Sequence, residues 1–73
     1  MSEIEKIVQS ADFVVNGYAF ECKSEIIRIL NLNDTSKATV INRAGDVLQT
    51  SMDDIEISIV LAYWDKNKRF VEA

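Results

Sequence analysis

The sequence predicts an α+β domain: two antiparallel β-hairpins forming a small sheet, with a C-terminal helix packed on it and a short N-terminal helix. A mostly antiparallel β chain is the alternative. Three observations carry this reading. An Asn-Gly pair at 16 and 17 interrupts a run of alternating apolar and polar residues. A second turn signal centres on Gly45. A long apolar segment from Asp53 to Val71 opens with acidic residues and closes with basic ones.

Ser2 to Ser10 comes first. Ile4, Ile7 and Val8, followed by Ala11, recur at the spacing of one helical face, so the segment reads as a short amphipathic helix. The next segment runs from Ala11 to Cys22. Asn-Gly is the preferred pair for a two-residue type I′ hairpin loop, because both positions need positive φ. That loop sets the register: Val15 opposite Tyr18, Val14 opposite Ala19, Phe13 opposite Phe20, Asp12 opposite Glu21 and Ala11 opposite Cys22. Strand side chains alternate between faces. One face then carries Ala11, Phe13, Val15, Tyr18, Phe20 and Cys22, and the other carries Asp12, Val14, Ala19 and Glu21.

Ser24 to Leu32 begins with a serine suited to a helix cap and continues with Ile26, Ile27, Ile29, Leu30 and Leu32. Helix and strand both fit, and the cap tips the expectation to a short helix. Asn31 to Ser36 is polar and reads as a loop. In Thr39 to Leu48, Asn42 suits the first position of a type I turn, and Gly45 suits the left-handed position after it. A three-residue loop with a bulge follows, pairing Ile41 with Val47 and Val40 with Leu48.

Asp53 to Val71 carries two patterns. Ile55, Ile57, Ile59, Leu61 and Tyr63 alternate as a strand would. Three features favour a helix instead. Ser51-Met-Asp-Asp54 resembles a capping box. Asp53, Asp54 and Glu56 at the start, with Lys66, Lys68 and Arg69 at the end, match the helix dipole. The run also has no internal turn and exceeds the usual strand of about 5–6 residues. As a helix, it would turn Ile55, Ile59, Ala62, Tyr63 and Phe70 inward.

The whole chain, residues 1–73, is expected to be a single domain. Apolar residues make up 48% and charged residues 27%, the balance of a folded protein. A core this small seldom yields more than about 3–5 kcal/mol without a staple. With one cysteine, Cys22, an internal disulfide cannot form, and with no histidine a zinc staple is excluded in practice. A partner subunit is the remaining source of stabilisation. The acidic start lacks the pattern of a secretory signal and no apolar run reaches the length of a membrane span, so a cytoplasmic protein is expected.

The residue types argue against an enzyme. Histidine, the commonest general acid–base, is missing. Asp53, Asp54 and Glu56 form the densest acidic cluster, but the helix dipole explains them without a metal or a catalytic pair. Asp65 to Arg69 starts like a calcium loop and then supplies two lysines and an arginine where oxygen ligands are needed. Cys22 falls on the apolar face of the first hairpin, where a buried structural role is expected. Glycine-rich phosphate loops and dinucleotide fingerprints are missing. No cofactor, metal or small-molecule substrate is expected.

The sequence therefore points to a small acidic non-enzymatic protein-binding module: a regulator, inhibitor or accessory subunit that pairs with another protein or with itself as a homodimer. Its size and charge would suit a phage or mobile-element accessory protein. The expected partner surface is Val60, Leu61, Tyr63, Trp64, Lys68 and Arg69. Trp, Tyr and Arg are over-represented among residues that dominate interface energies. Ile59 to Trp64 is also apolar all round, which a helix with one exposed face should not be. Two alternatives use charge. The net charge of −4, from 12 acidic and 8 basic residues, would let the chain mimic nucleic acid on a DNA- or RNA-binding protein. Conversely, Lys66, Lys68 and Arg69 beside Trp64 and Phe70 would form a weak single-strand binding patch. The overall negative charge opposes this patch and any anionic membrane.

Overall fold

The computed structural model describes residues 11–69. Five strands, β1 (Phe13–Val15), β2 (Tyr18–Lys23), β3 (Ile26–Asn31), β4 (Ala38–Asn42) and β5 (Val47–Thr50), precede one helix, α1 (Asp54–Asn67). The strands form a single antiparallel sheet in the order β1-β2-β3-β4-β5, so every strand pairs with its neighbour in sequence. The expected N-terminal helix, Ser2 to Ser10, lies outside the described residues.

The first hairpin takes the register that Asn16-Gly17 dictates: Phe13 with Phe20, Val14 with Ala19, Val15 with Tyr18. Both loop residues have positive φ, 47° and 83°. The pairing stops short of the expected Asp12–Glu21 match. Asp12 instead accepts a hydrogen bond from the backbone N–H of Cys22 through Oδ2, at 2.6 Å. Glu21 faces Arg28 across β2 and β3, 3.6 Å away, so opposite charges meet rather than like ones.

The segment expected to be a helix at Ser24 to Leu32 is strand β3. It pairs with β2 along its full length and with β4 from Ile26 to Leu30. The β-branched Ile26, Ile27 and Ile29 suit a strand. Ser24 caps nothing: it stands at φ 53° in a two-residue turn between β2 and β3. A position of this kind usually takes glycine. Two neighbouring strands and the burial of Ile27 and Ile29 outweigh the local preference.

At the β4–β5 turn, the N–H of Gly45 reaches the carbonyl of Asn42 at 3.0 Å, and Gly45 takes φ 90°. Ile41 pairs with Val47 as expected. The next pair is Val40 with Gln49 rather than Leu48, because the register shifts between Val40 and Ile41. Leu48 is the extra residue, and a bulge of this kind bends the strand that carries it.

Helix α1 starts at Asp53, whose carboxylate accepts the N–H of Glu56 at 2.8 Å. The expected cap at Ser51 does not form. Ser51 Oγ accepts the N–H of Ala38 at 2.9 Å and donates to the carbonyl of Ser36 at 2.7 Å, fastening the helix approach to the start of β4.

The core lies between α1 and one face of the sheet. Phe20, Ile27, Ile29 and Ile41 come from the strands, and Met52, Val60 and Trp64 from the helix and its approach. Phe13 stacks on Phe20 at 4.6 Å and lies parallel to Trp64 at 6.4 Å, which ties the edge strand to the helix. Thr39, 1% exposed, shares a 2.7 Å hydrogen bond with Thr50. Among the described residues no buried side-chain nitrogen or oxygen lacks a partner.

Candidate functional site

Three surfaces merit weighing: the helix residues named from sequence, the outward side of the helix, and the sheet face away from it. The first does not form one patch. Val60 is 0% and Trp64 3% exposed, both in the core. Leu61 and Tyr63 are half-buried at its flanks. Lys68 is half-buried, with its ammonium 3.4 Å from Asp65, and Arg69 is exposed. The basic cluster beside Trp64 thus borders a tryptophan whose ring is turned inward, and Phe70 lies outside the described residues.

The inward stripe expected from Ile55, Ile59 and Ala62 is reversed. Ile55 is 75% and Ile59 41% exposed, and Ala62 is exposed as well. At 100° per residue, burying Val60 and Trp64 turns Ile55 and Ala62 away from the sheet and Ile59 to the side. The outer side therefore carries the apolar Ile55, Ile59 and Ala62 together with the exposed Ser58, Asp65, Lys66 and Arg69. The edge strand β5 adds two more exposed apolar side chains, Val47 and Leu48. For Ile59 and Ala62 the sequence held a signal in the apolar run itself. What it lacked was the phase of the helix, which Phe13 and Phe20 set by taking Trp64.

At the start of α1, polar groups converge. Glu56 Oε2 accepts from the Tyr18 hydroxyl at 2.8 Å and from Asn31 Nδ2 at 2.9 Å. Tyr63 packs against Tyr18 with ring centres 6.0 Å apart, and its hydroxyl accepts from Asn16 Nδ2 at 3.2 Å. The Tyr18 hydroxyl is pushed up to about 12, first by its hydrogen bond to Glu56, then by burial and the nearby negative charge. A hydroxyl held protonated this firmly is a poor base at neutral pH. Of the acidic residues at the helix start, Asp53 is the cap and Glu56 a tie to the sheet, while Asp54 is exposed. Among the described residues, no three of His, Cys, Asp and Glu stand together as a metal-binding group.

The third surface is the sheet face opposite α1. Alternation places Ala19, Glu21, Arg28, Leu30, Ala38, Val40 and Gln49 there. They line a groove of about 510 Å³ that also includes Ala11. Its floor is small and apolar, and Glu21 and Arg28 pair at its rim. This volume falls within the range of small-molecule sites, about 300–1,000 Å³, and Gln49 and Ser51 join Glu21 and Arg28 among its polar lining residues.

The architecture is a five-stranded antiparallel meander covered on one face by a C-terminal helix. The chain belongs to a family of unknown function, DUF7723, which matches residues 1–71. No curated protein and no solved structure matches it. No helix among the described residues is long and apolar enough to cross a membrane.

Proposed function

We propose that this chain is a small acidic protein-binding module without catalytic activity, acting as a regulator, inhibitor or accessory subunit. The outward side of α1 is its docking surface. One observation carries the reading: Ile55 and Ile59 are 75% and 41% exposed on a helix whose core-facing positions are already filled by Val60 and Trp64. The outer side of a surface helix is ordinarily polar. Burying a large aliphatic side chain recovers about 1.5–3 kcal/mol, so covering this stripe gives a partner a direct energetic return. The partner is another protein or a second copy of the chain. Ile55, Ile59 and Ala62 would form the contact centre. Of the residues named from sequence, Arg69 falls on this outer side, Leu61 and Lys68 at the flanks of the helix, and Val60, Tyr63 and Trp64 hold the helix in place.

The test is to change Ile55→Glu and Ile59→Glu separately and follow both self-association, by light scattering, and capture of proteins from the source cell. Each variant should melt within about 0.5 kcal/mol of the parent, as exposed positions do. Loss of self-association or of a stoichiometric captured protein, in folded variants, supports the reading. Association and capture unchanged in both variants would sink it.

A further inference from the structure

We propose that the outer edge of β5 pairs with β5 of a second copy of the chain, the two strands running antiparallel across a two-fold axis so that the two sheets become one. Three observations carry this. The first is an unguarded edge. Among the described residues β5 is the last strand of the sheet, and all four of its residues are exposed, Leu48 at 56%. An outer strand presents a row of unpaired backbone groups, which proteins ordinarily blunt with charged side chains or proline. β5 reads Val-Leu-Gln-Thr and has neither.

The second is the direction of the backbone groups. Ser51 donates its N–H to the carbonyl of Ala38 at 2.9 Å and so faces β4. Antiparallel partners alternate between exchanging hydrogen bonds and turning them outward. Thr50, opposite Thr39, therefore directs its N–H and carbonyl away from β4. With Gln49 on the two-fold axis, Thr50 meets Leu48 of the second copy, and Asp46 meets its Met52.

The third is charge, and it selects the occupant. Asp46, exposed, stands just before β5. At the other end, the Lys37 ammonium lies 3.5 Å from the Ser51 carbonyl oxygen. Antiparallel pairing brings each copy's Asp46 to the other copy's Lys37, so the edge is complementary to itself. A closed two-fold dimer satisfies both ends at once. Parallel pairing would set Asp46 beside Asp46.

The inference does not rest on the docking role proposed for α1, because it uses the edge of the sheet and not the helix. The test is sedimentation equilibrium of the full chain from about 10 µM to about 1 mM, a range suited to an interface this small. A monomer–dimer equilibrium is expected. Asp46→Lys and Lys37→Asp should each raise the dimer dissociation constant about tenfold, since two attractive contacts per dimer become repulsive. Mixed in equal amounts, the two variants should regain the parent's affinity, because every contact again pairs lysine with aspartate. Amide exchange of the parent is the second measurement. The Thr50 N–H should slow as concentration rises, while that of Ser51, already bonded to Ala38, should not change. A dimer indifferent to both reversals, no recovery on mixing, or Thr50 exchange independent of concentration would each overturn the proposal. A parent that stays monomeric throughout would overturn it too, and would leave the edge to a strand of another protein.

Discussion

The Tyr18 hydroxyl donates to Glu56 Oε2 at 2.8 Å, joining the first hairpin to the first turn of α1, 38 positions further along the sequence. Asn31 donates to the same oxygen from the end of β3. One carboxylate oxygen therefore fixes where the helix begins relative to two strands. The aromatic stack of Phe13, Phe20 and Trp64 fixes its other end. A helix held at both ends has a set rotation, and that rotation leaves Ile55 facing solvent.

Tyr18→Phe removes the hydroxyl and keeps the ring against Tyr63. Hydrogen bonds to charged groups contribute about 1.5–3 kcal/mol when well buried, and Tyr18 is only half-buried. A loss of about 1–1.5 kcal/mol in urea unfolding is expected. The parent should also show an alkaline limb. The hydrogen bond to Glu56 pushes the folded hydroxyl up to about 12 from its ordinary value of 10.0. Between these values the unfolded chain has lost the proton that the folded chain keeps. The contribution is therefore complete below pH 10 and declines as pH rises toward 12. Tyr18→Phe should flatten this part of the profile. An identical alkaline limb in both proteins would mean that Tyr18 is not its source.

Asn31→Asp exchanges the donor to Glu56 for a second carboxylate. Asn31 has two tasks. Its Nδ2 serves Glu56, while Oδ1 accepts the N–H groups of Asn33 at 2.8 Å and Asp34 at 3.1 Å, shaping the β3–β4 loop. Aspartate keeps the second task and reverses the first. Two carboxylates at hydrogen-bond range cannot both ionise without cost, so the folded state should bind a proton more tightly than the unfolded one. The variant should be about 1–3 kcal/mol less stable at pH 7 and should recover part of that as pH falls through the carboxylate range. Urea unfolding at pH 7 and pH 4 checks this. A deficit independent of pH would mean that the pair does not meet.

Legibility in the sequence followed the range of the forces involved. Asn16-Gly17 imposes a backbone conformation on its own residues, and the first hairpin came out in its expected register. Gly45 did the same for one pair, after which the bulge at Leu48 shifted the rest. Asp53, Asp54 and Glu56 announced a helix through local electrostatics. Ser24 to Leu32 fits helix and strand alike, and the strand identity of Ile26–Asn31 comes from two partners that no local window contains. The rotation of α1 was hidden in the sequence for a related reason. Ile59 to Trp64 is apolar on all sides, so periodicity does not set its phase, and Phe13 decides it from some fifty residues away.

Asp53 and Ser51 separate two accounts of the helix start. Asp53 caps Glu56 directly, so Asp53→Ala should cost about 1 kcal/mol, and Asp53→Ser should retain most of it. Ser51 hydrogen-bonds to the start of β4 and its approach rather than capping the helix. Its hydroxyl ties Ser36 and Ala38 to the end of β5, so Ser51→Ala should disturb exchange protection at Ala38 before it affects α1. Amide exchange along the helix in the two variants reads the difference. Equal loss of protection in the first turn of α1 for both would restore Ser51 as the cap.

Trp64 settles whether the aromatic end of α1 is core or contact surface. It is 3% exposed, and its ring runs parallel to Phe13, which stacks on Phe20. Truncation to alanine removes a large buried side chain and leaves a cavity, at a cost of about 3–5 kcal/mol. Domains are stable by roughly 0.05–0.15 kcal/mol per residue, which for this chain is a few to about ten kcal/mol. Trp64→Ala should therefore lose a large part of the total and sit near its unfolding midpoint at low urea. Trp64→Phe, which keeps an aromatic ring against Phe13, should lose about half as much or less. Urea unfolding followed by far-ultraviolet circular dichroism serves both variants, since the tryptophan signal is gone. A Trp64→Ala protein with the parent's midpoint would place the ring outside the core. It would return the docking surface from the Ile55 side of the helix to the Trp64 side.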